Sequence, residues 1–427
     1  MTGRTLLFYV SAAILFQVAV FIFVAVWRGR AGAAIVAAAP LEEPAKKSAA
    51  AWQGWREFRV ARREYEDSDQ SQCSFYLEPV DGVALPAFKP GQFLTFQLNV
   101  AKAGKNHDND SVVNQPIIIR CYSLSDRPEP SCYRITIKRI PSPLNKPETP
   151  PGVASNYFHD HVQVGIILNI KAPAGHFFID PDPTINVVLI AGGIGITALL
   201  SMLRWCIEKQ SARNIYLYFG LKHGGEHPFK TQLYQLARTH PNFRLNVLYS
   251  QPLVGDIQDR DFQHIGRIDV GLLRRTLPHG RHQFYICGPA AMMENLVPAI
   301  RSWGVPQNDI RFEAFGPASV QLSNNTPRDG ITLQTESAVA ATEQFEVKFL
   351  RSARTLVWNS ADASLLDFAE RNGIEVESGC RAGSCGSCEV KLVSGKIHYA
   401  SAPDFDIAPG HCLLCVGMPV SPIMLAA

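Results

Sequence analysis

Three of the ten cysteines in this 427-residue chain crowd into one short stretch, Gly379-Cys380-Arg381-Ala382-Gly383-Ser384-Cys385-Gly386-Ser387-Cys388. A further thiol follows in Cys412-Leu413-Leu414-Cys415-Val416. The spacing C-x4-C-x2-C followed by a distant Cys is that of a [2Fe–2S] ligand set, in which four thiolates converge on two irons. Small residues between the first three let the backbone wrap closely and aim amide N–H groups at sulfur. A zinc ribbon would pair two short C-x2-C knuckles instead, so three thiols in one Gly-rich loop favour the cluster. The spacing alone leaves Cys412 and Cys415 both open as the fourth ligand.

A second group of residues suits a flavin and a nucleotide. Arg120-Cys121-Tyr122-Ser123 supplies a fixed cation for phosphate, a flat apolar face for a ring and a short hydroxyl donor. It lies downstream of Phe88-Lys89-Pro90-Gly91-Gln92-Phe93 and upstream of Gly152-Val153-Ala154-Ser155-Asn156 and of Ala172-Pro173-Ala174-Gly175-His176-Phe177-Phe178. Further on, Gly192-Gly193-Ile194-Gly195-Ile196-Thr197-Ala198 satisfies G-x-G-x-x-A from Gly193, a loop that lets backbone approach a pyrophosphate at a helix N-terminus. The acid that a full dinucleotide fingerprint places at the end of the next strand is missing from Phe219-Gly220-Leu221-Lys222-His223. Cys287-Gly288-Pro289 and Phe312-Glu313-Ala314-Phe315 close the series.

These residues need three scaffolds. Short β-type runs between turns, such as Phe93–Leu98 and Tyr133–Lys138, predict a small antiparallel barrel over 54–183. From residue 184 to 317 buried strands (Val187–Ile190, Ile215–Phe219, Arg244–Tyr249, Gln283–Ile286) alternate with helical stretches such as Thr197–Glu208, which predicts a doubly wound parallel α/β sheet. Residues 318–342 are polar and aperiodic, a linker, and 343–427 form an α+β ferredoxin-like unit. Thr5–Trp27 carries no charge and, as a helix, reaches about 35 Å, enough to cross a hydrocarbon core of about 30 Å. Arg28 and Arg30 stop it, and a cleaved signal peptide would have a shorter apolar region. The expectation is an uncleaved single-pass transmembrane helix over 5–27 and a tether over 28–53, with the bulk of the chain cytoplasmic because Arg28, Arg30, Lys46 and Lys47 outnumber Arg4. A formal charge of +3 and 46% apolar residues, with no basic tract, speak against nucleic-acid binding.

The four flavin-type motifs, in their order, resemble the flavin domain of the ferredoxin–NADP⁺ reductase superfamily, and most closely the reductase part of flavohaemoglobins, over about residues 54–317. The end of the chain, Cys412 to Pro419, is similar to the end of plant-type ferredoxins. The second resemblance selects Cys415 with Cys380, Cys385 and Cys388 as iron ligands, and leaves Cys412 as a buried thiol. The first implies FAD rather than FMN, with Arg120 on the pyrophosphate, Tyr122 and Phe93 on the isoalloxazine ring, and Ser123 beside N5. It places Gly152, Ser155 and Asn156 at a second pyrophosphate contact. Gly192, Gly193, Gly195 and Thr197 take the nucleotide; Cys287, Gly288 and Pro289 lie by the nicotinamide; Phe315, with Glu313 nearby, covers the flavin. Ser123, Cys287, Glu313 and Phe315 are the catalytic candidates. NADH leads, and Lys222 leaves NADPH open. The stretch before the barrel is too short for a haem-binding globin, so the resemblance stops at the reductase part. In overall order the chain resembles reductases with a C-terminal ferredoxin domain. The expected function is a membrane-anchored reductase passing electrons from NAD(P)H through FAD and [2Fe–2S] to a one-electron acceptor, an oxygenase or another redox protein, membrane-bound or not. Two alternatives are a quinone-reductase-type flavin subunit, whose relatives carry the cluster domain before the flavin domain, and a membrane redox sensor without turnover.

Overall fold

The computed structural model describes residues 52–100, 117–142, 147–315, 344–359, 362–379, 381, 383, 385–399, 403, 405 and 407–427, with backbone only for 314 and 315. The expected transmembrane helix, most of the tether, the 101–116 insertion, the 318–342 linker and Cys380 lie outside the described residues. Among the described residues no helix is long and apolar enough to cross a membrane. Residues Ala50–Ala427 form one compact unit.

The first module is a six-stranded antiparallel barrel of β1 (Arg56–Tyr65), β2 (Gln72–Pro79), β3 (Phe93–Asn99), β4 (Ile117–Ser123), β5 (Tyr133–Lys138) and β6 (Ile167–Ala174), with α1 (Val153–His161) between the last two. The strand order is β4-β3-β6-β1-β2-β5, and a bridge from Leu124 to Ile135 joins the two edges. Alternation explains the arrangement. Phe58, Val60, Phe75, Leu77, Leu94, Phe96 and Leu98 are spaced by two and point inward, where they are buried. Phe158 of α1 plugs the barrel, with its ring 5.3 Å from Phe75, 5.5 Å from Phe96 and 5.2 Å from Tyr122, all edge-on. Burying each such side chain contributes about 1.5–3 kcal/mol.

The second module is a six-stranded parallel sheet: β7 (Asn186–Gly192), α2 (Ile196–Lys209), β8 (Ile215–Leu221), α3 (Lys230–Thr239), β9 (Phe243–Tyr249), β10 (His264–Ile265), α4 (Val270–Thr276), β11 (His282–Pro289), α5 (Ala290–Ser302) and β12 (Ile310–Phe315). The order β10-β9-β8-β7-β11-β12 reverses direction at β7, so the crevice between β7 and β11 opens at the strands' carboxyl ends. Val187 to Ala191 are wholly buried without alternation, as befits a strand covered on both faces.

The third module holds β13 (Phe345–Phe349), β14 (Arg354–Trp358), α6 (Leu365–Arg371), β15 (Glu389–Ser394), β16 (Ile397–Tyr399), β17 (His411–Leu413), β18 (Gly417–Pro419) and β19 (Ile423–Leu425). Five strands run β14-β13-β19-β15-β17, with a separate β16-β18 pair. Ser364 caps α6: its hydroxyl accepts the Asp367 amide at 3.1 Å and donates to the Asp367 carboxylate at 2.8 Å.

Candidate redox centre

The R-x-Y-S residues occupy the second half of β4. Phe93 on β3 pairs with Ser123 and Leu94 with Tyr122, so the first and second flavin motifs lie side by side. Arg120 is exposed at the barrel surface, its guanidinium donating to the Ile119 carbonyl at 2.7 Å. Tyr122 packs edge-on against Phe96 and Phe158, and burial pushes its phenol well up, so it stays neutral. Ser123 is buried. Gly175 has φ +107°, and a Cβ there would lie 2.8 Å from the Phe93 ring; the glycine of the fourth motif is the floor on which Phe93 rests. At the start of α1, the Ser155 hydroxyl donates to the Gly152 carbonyl at 3.0 Å and the Asn156 amide donates to the same oxygen at 2.8 Å. Their side chains tie the helix to the end of β5, since Asn156 also donates to Ile140 and the Ile140 amide donates to Ser155. His159 of the same helix is a core residue, its ring 2.9 Å from the Ile137 carbonyl and held neutral by burial.

The nucleotide loop follows β7 directly. Gly193 takes φ +52°, Gly193–Gly195 form one 3-10 turn, and α2 begins at Ile196. Gly195 faces the C-G-P turn at the end of β11, where a Cβ would lie 2.1 Å from the Cys287 carbonyl oxygen. Gly288 returns the contact, since its Cβ would lie 3.0 Å from the Gly192 Cα. The two signature turns are thus pressed together backbone to backbone across the crevice. Thr197 is buried and its hydroxyl donates to the Ile194 carbonyl at 3.1 Å. The loop's amides at the start of a fourteen-residue helix suit an anionic diphosphate.

Parallel register sets Cys287 opposite Glu313 and Pro289 opposite Phe315. Cys287 is fully buried, and burial together with the Glu313 charge pushes its thiol well above the ordinary value. Burial likewise raises the Glu313 carboxyl to about 8, and its buried Oε2 has no partner among the described residues. A protonated carboxyl with a spare oxygen at the crevice mouth is a hydrogen-bonding group waiting for a ligand, which fits a nicotinamide. Only the backbone of Phe315 is described, so its ring lies outside the described residues.

Cys385, Cys388 and Cys415 are all buried at the edge of the third module's core. The Cys415 amide donates to Cys388 Sγ at 3.4 Å, and the adjacent Cys415 thiol holds Cys388 below its ordinary pKa. Cys385 Sγ lies 3.3 Å from the Ser387 hydroxyl. Left-handed backbone at Arg381 (φ +54°), Gly383 (+74°) and Gly386 (+72°) bends the loop around this point. Cys412 points elsewhere: it sits in β17 opposite Val390, its thiol 3.5 Å from the Val390 carbonyl, and burial pushes it up to about 12. Among the described residues no three ligand-type side chains stand at metal-binding distance, and the first thiol of the motif, Cys380, is not one of them. The donor set that is described, buried thiols with the Cys415 amide donating to sulfur, fits an iron–sulfur cluster.

Residues 189–297 match the family described as oxidoreductase NAD-binding domain, and residues 348–420 match that of the 2Fe-2S iron-sulfur cluster binding domain. The two matches are thus to a nicotinamide-nucleotide domain and to an iron–sulfur domain. A flavohemoprotein of Bacillus cereus is 36% identical over 268 residues, which cover 62% of this chain and 63% of the relative. The chain thus spans under two thirds of the length of the curated relatives it matches. The flavohem-like FAD/NAD-binding domain of the nitric oxide dioxygenase of Vibrio cholerae superposes with a TM-score of 0.52 at 29% identity, over 62% of this chain and 100% of that one. An intact type IV self-sufficient cytochrome P450 monooxygenase superposes with a TM-score of 0.55 over 87% of this chain and 41% of its own, at 20% identity, a likeness of fold alone. The first two modules accordingly have the fold of a FAD/NAD-binding unit, and the third matches the 2Fe-2S domain family.

Residues without a motif signal hold the modules together. Asp126, three positions past Ser123, accepts from Arg204 of α2 at 2.8 Å, and its carbonyl accepts from the Ser201 hydroxyl at 2.6 Å. The strand that bears the flavin motif is therefore tied to the helix that begins at the nucleotide loop. Arg213 is almost fully buried and donates to the carbonyls of Ile185 and Asp180 and to Gln210 and Gln283. An aspartate in a turn and an arginine before a strand announce nothing in one dimension.

Proposed function

We propose that the chain takes a hydride from NADH onto FAD and delivers the electrons one at a time, through its [2Fe–2S] cluster, to a one-electron redox protein. The observation that carries the reading is the placement of β4. Its Arg120–Ser123 half bears the flavin motif, while Ile119, one residue earlier, abuts the cluster loop: a Cβ on Gly379 would lie 3.3 Å from Ile119 Cγ2 and 2.9 Å from Cys385 Sγ. The flavin supplies the conversion of a two-electron donor into single electrons; the protein's part is to hold each group in place. Arg120 would hold the pyrophosphate, Tyr122 and Phe93 would contact the ring, and Ser123 would supply a hydroxyl donor to it. Cys287 and Glu313 seat the nicotinamide, with the neutral Glu313 carboxyl free to donate. Cys380 completes the ligand set with Cys385, Cys388 and Cys415. The preference for NADH rests on the lack of a Ser/Arg cluster for a 2′-phosphate in Phe219–His223 at the end of β8, while exposed Lys222, 3.9 Å from Glu226, leaves NADPH open. The uncharged stretch 5–27 anchors the reductase in a membrane with its redox modules in the cytoplasm.

Anaerobic titration with NADH tests the route. Flavin absorbance should bleach and a rhombic reduced-cluster EPR signal should grow in with it. Bleaching without the signal removes the cluster from the path. For the anchor, full-length protein should stay with membranes through an alkaline wash, and recovery in the soluble fraction refutes it.

A further inference from the structure

We propose that Lys171 is a positioning residue for electron transfer into the cluster, its ammonium pinning the Cys385 end of the cluster loop to the flavin-bearing wall of the barrel. Lys171 lies on β6 opposite Thr95 of β3, and Thr95 lies opposite Cys121 of β4, between Arg120 and Tyr122. The lysine is therefore two strands from the flavin motif on the same sheet. Its Nζ donates to the carbonyl oxygen of Cys385 at 3.5 Å and lies 4.9 Å from the centre of the Trp55 ring. Two groups thus contact one half-buried ammonium, the Trp55 indole and the Cys385 carbonyl. Gly379 marks the other flank of the loop, seated on Ile119 where any side chain would strike Cys385 Sγ. The loop is thus held against the barrel at two points, Gly379 on Ile119 and the Cys385 carbonyl on Lys171.

Without Lys171 the loop keeps only the Gly379 contact and can tilt about it. The cluster then spends less time close to the flavin, and each single-electron step slows, while the hydride step, which uses the nucleotide module, is untouched. A cation beside a ligand carbonyl also favours the extra electron on the cluster, so its removal lowers the cluster's midpoint potential.

The inference rests on the flavin-to-cluster route proposed above, and the test separates the two. Lys171→Met and Lys171→Arg holoenzymes are compared with wild type by anaerobic stopped flow with NADH, EPR redox titration, and hydrogen exchange of the Gly379–Cys388 amides without NADH. In Lys171→Met, flavin bleaching should match wild type, cluster reduction should slow roughly tenfold, the midpoint should fall and the loop amides should exchange faster. Lys171→Arg, which keeps a cationic donor, should restore most of the rate. Lys171→Gln serves if the Met variant does not hold its cluster. Unchanged cluster reduction and unchanged exchange in both neutral variants overturn the proposal, as does an equal slowing of flavin bleaching. If wild-type cluster is not reduced by NADH at all, the route itself fails, and the exchange measurement alone then decides whether Lys171 clamps the loop.

Discussion

Glycine does different physical jobs in the two cofactor loops. In the nucleotide loop, Gly195 has ordinary right-handed backbone and is needed for room, because the Cys287 carbonyl stands where its Cβ would be. In the cluster loop, Gly383 and Gly386 are needed for handedness, since both have φ above +70°. The first loop is held from outside by another strand's turn. The second is bent from within, and even Arg381 adopts left-handed backbone there, stapled to Glu370 at 2.5 Å and Asp367 at 3.4 Å. A pyrophosphate site is thus a close approach of two backbones, whereas a thiolate basket is a sequence of turns.

The sharpest break of that comparison is Gly195→Ala. The added methyl meets the Cys287–Gly288 backbone, so relief requires moving β11, at a cost of about 1–3 kcal/mol or more. NADH-to-dye activity should be lost while the cluster EPR signal, generated with dithionite, remains. Gly386→Ala should do the reverse. Left-handed backbone costs a non-glycine residue about 1–2 kcal/mol, and its Cβ would fall 2.2 Å from the Phe405 ring. Iron content and the EPR signal should fall with dye reduction intact; equal loss of both activities would mean the loops are not independent.

A smaller effect comes from Glu313. Its carboxyl is raised to about 8 in the folded protein against an ordinary value of 4.5. The native state therefore keeps a proton that the unfolded chain releases, and stability falls as pH rises from about 4.5 to 8. Glu313→Gln should flatten that part of the melting-temperature profile of the cofactor-free protein and raise stability above pH 8. An unchanged profile would place the carboxyl in contact with water. The least effect is expected from Cys412→Ser. Its thiol is committed to the Val390 carbonyl, so the EPR signal should persist with a stability loss of about 1 kcal/mol, whereas Cys415→Ser should abolish the signal. The opposite pattern would exchange the two assignments.

Much of this was legible in one dimension because it is local. Tyr133–Lys138 is a strand with the boundaries its alternation predicts, and the helix expected at Thr197–Glu208 runs Ile196–Lys209. Motif glycines and cysteines announce themselves because few residue types can replace them. Cys412 and Cys415 shared the same spacing argument, and the structure parts them through strand direction: β17 turns Cys412 toward Val390, and the turn that follows carries Cys415 to Cys388.

The chain's own order of residues was enough to indicate three cofactor-type modules and to nominate side chains for each cofactor. Hydride and electron chemistry tolerate few donor types, and those types sit at short, recognisable spacings. What joins the modules was decided only in three dimensions. Lys171 meets a carbonyl 214 positions away, Asp126 meets an arginine 78 positions on, and Gly195 is pressed on Cys287. Such contacts depend on which strands become neighbours, and a lysine, an aspartate or a glycine has the same one-dimensional appearance whether it makes them or not.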